Sequence, residues 1–176
     1  MSPLDLLMQE HNLIAKLTTI IKKKLPTIKE KKANACLIQK IIDFFVTYGD
    51  KTHHGKEEDI LFREVGRKDL SDELRKILAE LLEEHVQARE KLKKLEEANN
   101  EYSNGDDLAY EKIVKVLEEL VIFYPAHIDK ENNHFFKQAM EYFNDIELET
   151  MTKEFAEFDR SIIHEKYKAV VMAMES

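Results

Sequence analysis

Two short stretches carry residues that could do chemistry. "HHGKEE" (53–58) sets His53 four residues before Glu57 and His54 four before Glu58, and "HIDKE" (127–131) sets His127 four before Glu131. Residues four apart lie on one face of a helix, so an imidazole could hold a metal ion while its glutamate reaches the same ion or a second one. Two lone histidines interrupt apolar stripes: His11 in Leu4, Leu7, His11, Ile14, and His85 in Leu74, Leu78, Leu81, His85, Ala88, Leu92. The spacing repeats. His11 to His53 is 42 residues and so is His85 to His127, and a shift of 74 carries His11, His53 and Glu57 onto His85, His127 and Glu131.

Helical periodicity chooses between the two pairs in "HHGKEE". The line Ile38, Ile42, Phe45, Gly49, His53, Glu57, Ile60 is apolar, whereas Asp43, Thr47, Asp50, His54, Glu58 is polar. This predicts that His53 and Glu57 point inward and that His54 and Glu58 flank them. Ile113, Leu117, Leu120, Tyr124, His127, Glu131, Phe135 forms the matching stripe later in the chain. Four imidazoles and two carboxylates buried without partners would cost several kcal/mol each. A pair of metal ions removes that cost. Imidazole and carboxylate donors suit iron, manganese or zinc, and carboxylates bridge two metals. A single core histidine is more often just a hydrogen-bonded residue, but six such positions in a repeated spacing favour one site. A ferritin-like site needs two Glu-x-x-His motifs, and only Glu131 with His134 has that spacing.

The elements that must position these residues are helices. Of 176 residues, 35% are charged and 43% hydrophobic, with seven Gly and Pro together and no Trp, a composition of an all-helical domain. Helices are expected from Pro3 to Leu25, with Ser2 as a cap and Pro26 ending the pattern, then from Lys31 to Val65, and from the cap Ser71 to the loop "ANNEYSNGDD". A fourth is expected from Asp106 to Phe143 with a kink or break at Pro125, and a fifth from Ile146 to Met174. The expected architecture is an antiparallel up-down four-helix bundle over residues 1–145, with an additional C-terminal helix, 146–176, packed on the bundle or at a subunit interface.

The net charge of −8 and pI of about 5.4 argue against nucleic acid and anionic membrane as partners. No stretch reads as a signal peptide or membrane span, and the single Cys36 rules out an internal disulfide and any cysteine-based metal cluster. A cytoplasmic location is the expectation.

"EHNLI", "HHGKEEDILF", "EEH" and "HIDKENNHFF", in that order, resemble the hemerythrin-like, or HHE cation-binding, domain family over roughly residues 4–143. The resemblance implies a bundle holding two iron ions, non-haem and oxo- or hydroxo-bridged, with zinc or manganese as substitutes. It implies metal ligands at His11, His53, Glu57, His85, His127 and Glu131, with the glutamates bridging. Oxygen-carrying members have a fifth histidine on the third helix, but the positions four away from His85 are Leu81 and Arg89. The four-His, two-Glu set is more similar to di-iron members linked to iron–sulfur cluster repair and nitric oxide stress. The implied function is binding or reduction of a small oxidant: oxygen, nitric oxide or peroxide. The alternative is iron handling (storage, sensing or donation) without turnover. The implied partner is a small diatomic or peroxide ligand, with a second copy of the chain as a further expected partner.

Around the site, Phe45 and Phe123 are expected to wall a cavity, and Lys56, Lys130, Glu58 and His54 to be solvated. His134 is expected near the bundle end, and Tyr124 as a core tyrosine able to donate to a bound ligand. His164 falls on a polar face with no role.

Overall fold

A computed structural model describes residues 2–31, 33–159 and 161–175, with the side chains of residues 31 and 161–165 outside the description. Helix α1 spans Pro3–Lys31. Its start is fixed by a reciprocal pair: the Asp5 N–H donates to Ser2 Oγ and the Ser2 N–H to Asp5 Oδ2. The helix does not stop at Pro26. Proline removes one donor, which would have met the carbonyl of exposed Lys22, and the apolar stripe continues through Leu25 to buried Ile28. Helix α2 is one rod over residues 35–65, α-helical over Ala35–Asp43 and π-helical over Phe44–His54 and Glu57–Phe62.

Ser71 caps α3, Asp72–Ser103, by accepting from the Leu74 N–H at 3.2 Å. The loop expected over 98–107 is shorter, because α3 runs on to Ser103. It turns at Gly105, whose φ of +97° is a left-handed conformation that favours glycine. Helix α4 covers residues 109–140. It stays α-helical straight through Pro125, and its winding changes only at the π-helical Glu131–Phe135. The expected break at Pro125 is therefore displaced to the ligand-bearing turn.

Two apolar clusters set the direction of every helix. One contains Ile14, Tyr48, Leu92 and Tyr124; the other contains Leu7, Ile60, Leu81 and Phe135. Each of α1 to α4 crosses from one cluster to the other, and successive helices cross in opposite senses. That is an up-down antiparallel bundle. The residues between the clusters form a polar layer: His11, His53, His54, Glu57, His85, His127 and Glu131, all at most 2% exposed.

The C-terminal region is two helices rather than one. Helix α5 spans Asp145–Phe158 and α6 spans Ser161–Glu175, separated by Asp159 in an extended conformation. Asn144 and Glu147 close a capping box at the start of α5. Met151 and Phe155 of α5 sink into the second cluster, and Tyr167, Val171 and Met174 of α6 into the first. The Tyr167 hydroxyl donates to Asp43 Oδ2 at 2.9 Å. Among the described residues no helix is long and apolar enough to cross a membrane.

Candidate metal centre

The polar layer is built from one turn of each bundle helix. His11 comes from α1, His53 and Glu57 from α2, His85 from α3, and His127 and Glu131 from α4. The six residues singled out by spacing are thus brought to one place. His54 joins them. It is 1% exposed, not solvated, and its ring stacks on His85 with centroids 3.8 Å apart. The cause is the local winding. In the π-helical stretch Phe44–His54 the i→i+5 bonding widens the turn, the angle between successive side chains shrinks, and both adjacent histidines face inward. Thr52 Oγ1 donates to the Thr47 carbonyl five residues back, supporting the wide turn.

Each imidazole is held from outside through Nδ1. His53 Nδ1 meets Glu10 Oε2 at 2.8 Å, His127 Nδ1 meets Glu84 Oε2 at 2.8 Å, and His85 Nδ1 meets Glu58 Oε1 at 2.6 Å. His11 Nδ1 meets Asn132 Oδ1 at 2.8 Å, and His54 Nδ1 meets Asp50 Oδ1 at 3.3 Å. A carboxylate or amide oxygen only accepts, so in the neutral ring Nδ1 carries the proton and Nε2 presents a lone pair inward. The shift of 74 residues holds in this outer layer too: Glu10 matches Glu84, Lys56 matches Lys130, and Glu58 matches Asn132. It also matches Phe62, stacked on His85, with Phe136, stacked on His11. Among the inward-facing histidines and glutamates, His54 breaks the repeat, because its counterpart is Ile128.

Inside this layer, the Nε2 atoms of all five histidines and all four oxygens of Glu57 and Glu131 are buried without a hydrogen bond. They face one another. Glu57 Oε1 lies 3.4 Å from His53 Nε2 and 3.9 Å from His11 Nε2, while its Oε2 lies 3.6 Å from His85 Nε2. Glu131 Oε2 lies 3.0 Å from His11 Nε2, and its Oε1 lies 3.4 Å from His127 Nε2 and 3.6 Å from His85 Nε2. Each carboxylate therefore offers one oxygen to the His11–His53 side and one to the His85–His127 side. Neighbouring ligands about 2.1 Å from one ion sit roughly 3 Å apart, which is the range seen here. Two sets have donor atoms within 4.8 Å of one another: His11, His53, Glu57 and Glu131, and His54, His85 and His127. Nine buried donor atoms with no protein partner are a costly arrangement that metal ions would satisfy, so the residues present fit a two-metal centre.

Electrostatics give the same picture. Burial, then the charge of His11, pushes His53 down to about 4 against the pull of Glu10. Burial and the neighbouring imidazoles of His85 and His127 hold His54 well below the usual histidine range. Burial and the adjacent Glu131 raise the Glu57 carboxyl well above the ordinary range. Burial also works upward on Glu131, but His127, His11 and His85 outweigh it and hold that carboxyl well below.

Other expectations divide. Phe45 is buried, but it stacks on Tyr124 at 4.5 Å, and it is Phe123 that stacks on a site imidazole, His127. Tyr124 is buried and its hydroxyl has no hydrogen-bond partner. His134 is exposed. Lys56 is fully buried rather than solvated: its ammonium donates to Glu10 and Asp159. Glu58 and Lys130 are only partly exposed, each engaged with the layer behind a ligand. The side chain of His164 lies outside the described residues. Glu10, Glu84, Glu58 and Asn132 were missed in the sequence. The signal that could have found them is the 74-residue repeat, extended one residue beyond the histidines and glutamates.

No curated protein matches the chain. Residues 2–139 match the model of the hemerythrin HHE cation-binding domain, and with the helical bundle and its inward-facing histidines and glutamates in place, the chain belongs to that family.

Proposed function

We propose that the chain is a non-haem di-iron protein that binds or reduces a small oxidant (oxygen, nitric oxide or peroxide) at its metal pair. The observation that supports this reading is the convergence of five unpartnered Nε2 atoms and four unpartnered carboxylate oxygens in one buried layer. His11 and His53 would hold one iron and His54, His85 and His127 the other, with Glu57 and Glu131 shared. When bound, the iron pair would supply electrons and an open coordination position to the small ligand. The protein's own part is orientation and exclusion. The Nδ1 partners fix each ring, as outer hydrogen bonds do for metal-binding histidines. Phe62, Phe136 and Phe123 lie against His85, His11 and His127, so apolar walls restrict entry to small, weakly hydrated molecules.

His54 alters the balance expected from four histidines. With three imidazoles on one side and two on the other, two bound metals would be unequal, and the His11–His53 side would have more room for an exogenous ligand. An unequal pair favours a ligand bound at one metal. The test is iron content of untagged protein together with the absorption spectrum of the oxidised form, followed by rapid mixing of the reduced protein with each oxidant. Two irons per chain and a reaction with at least one oxidant are expected. Absence of stoichiometric metal in protein grown with iron would overturn the reading.

A further inference from the structure

We propose that Asp159 and Lys56 are positioning residues for the candidate metal centre, through which the C-terminal helix α5 sets the donor strength of His53. The proposal rests on the two-metal reading above. Asp159 lies outside residues 2–139 that match the family model, so the proposal concerns a segment beyond that match.

The connection is continuous and buried. His53 Nδ1 donates to Glu10 Oε2 at 2.8 Å. The Lys56 ammonium donates to the other oxygen of Glu10 and to Asp159 Oδ2. Lys56 is 0% exposed, Glu10 2% and Asp159 12%. Asp159 is the residue at which α5 ends, its N–H donating to the Phe155 carbonyl at 2.9 Å. Two ring contacts fix that helix end. The ring of fully buried Phe155 lies 5.9 Å from Lys56 Nζ. The Phe158 ring sits where a Cβ on Gly55 would be, 2.8 Å away, so only a glycine at 55 lets it come so close.

The other half of the bundle supplies the comparison. Its matching lysine, Lys130, donates to Glu84, which holds His127, and to Glu80 at 3.0 Å. Lys130 is 29% exposed and Glu80 43%. There the second carboxylate belongs to the bundle's own α3 and faces water. In the His53 half it arrives from α5, and the chain of charges is far less exposed to water.

The effect follows from competition for one carboxylate. Glu10 accepts from both His53 and Lys56. Asp159 takes a share of the Lys56 charge and leaves Glu10 a stronger acceptor for the His53 N–H. A stronger acceptor at Nδ1 makes the imidazole a better donor at Nε2. Removing the Asp159 charge leaves Lys56 to Glu10 alone and weakens His53 as a ligand, while the His54, His85 and His127 side is untouched. Because the coupling is reciprocal, metal at the His53 side also favours docking of the α5 end.

The test titrates cobalt(II) into the metal-free full-length chain and follows the visible bands, which read the coordination geometry of each ion. Wild-type protein should bind two ions. Asp159→Asn should weaken one of them roughly tenfold, the low end for such outer partners, and shift its bands. Asp159→Glu should restore both, and Glu80→Gln, the matching change in the exposed half, should alter neither. Phe158→Ala changes no charge and removes a half-exposed ring, so it keeps the test valid if Asp159→Asn folds poorly. It should affect the same ion in the same direction. Two wild-type ions with Asp159→Asn and Phe158→Ala indistinguishable from wild type would overturn this proposal alone. A wild-type chain that binds no cobalt would overturn the two-metal reading and this proposal with it.

Discussion

His54 lies flat against His85, ring centroids 3.8 Å apart and planes within 10°. Two parallel imidazoles at van der Waals distance, both with buried and unpartnered Nε2 atoms, present their lone pairs side by side. The outer partners reinforce the pairing. Arg89 donates to Asp50 and to Glu58 at 2.7 Å each, and these two carboxylates hold His54 and His85 respectively. One guanidinium thus ties the two rings together from behind, an arrangement with no counterpart in the other half, where Ala15 stands 74 residues before Arg89.

The first prediction concerns adjacent residues. His53→Ala and His54→Ala should each lower bound metal from two ions per chain towards about one, because each removes an imidazole from a different ion. The two variants should differ spectroscopically, since different metals are depleted. Elemental analysis and absorption of the purified variants give the answer. Full metal and a native spectrum in His54→Ala would return that residue to a packing role.

The metal-free protein should lose stability as pH falls from about 6.5 to 5. His53 is depressed to about 4 in the fold and His54 lies well below its ordinary 6.5. In that window the unfolded chain takes up protons at both positions that the folded chain refuses, so acid favours unfolding. Glu57 works the other way: raised in the fold, it keeps a proton that the unfolded chain has lost above about 4.5. The raised His85 also favours the fold as pH falls, but its effect is largely complete once the ordinary 6.5 is passed, so below that value the two histidines oppose Glu57 alone and the net slope is downward towards acid. Thermal midpoints of metal-free protein across this range test it, and a midpoint that rises towards pH 5 would contradict the assignment.

The candidate ligand positions were legible because each breaks an otherwise apolar stripe. His11 and His85 stand where leucine belongs, and the repeated interval of 42 residues ties His53 and His127 to them. His54 was not legible, because a turn of 3.6 residues places it on the polar line and the chain winds more widely over Phe44–His54. Lys56 was not legible for a different reason. A buried lysine needs carboxylates, and its partners Glu10 and Asp159 are 46 and 103 residues away, so no local pattern announces them. Pro125 misled in the opposite direction. A missing N–H does not require a break, and the α-helix runs on unbroken through Pro125, with Tyr124 and His127 buried on either side of it.

Tyr124→Phe should separate packing from ligand contact. The Tyr124 hydroxyl is buried without a partner, 3.8 Å from where a Cβ on Gly49 would lie, one turn before His53. Removing a buried, unpaired hydroxyl should leave stability unchanged or raise it by about 1 kcal/mol. If the hydroxyl donates to the bound oxidant, the same substitution slows or redirects the reaction of the reduced protein. Denaturant melts and stopped-flow traces on one preparation read both effects, and an unchanged trace would leave Tyr124 as a core residue only.

Metal should stabilise the fold strongly, because the donors come from four different helices and converge only when the bundle is assembled. At a free metal concentration a thousandfold above the dissociation constant, the gain is about 4 kcal/mol per site. For a chain of this length that raises the melting midpoint by roughly 10 °C. The stabilisation should fall in variants of Glu57 and Glu131, since each has one oxygen on either side of the layer: Glu57→Gln should cost affinity for both ions, not one. Calorimetry of metal-free and metal-loaded protein, wild type and Glu57→Gln, tests both statements. Equal midpoints with and without metal would mean that the seven residues do not act as one centre, and loss of a single ion in Glu57→Gln would mean that the carboxylate serves only the His11–His53 side.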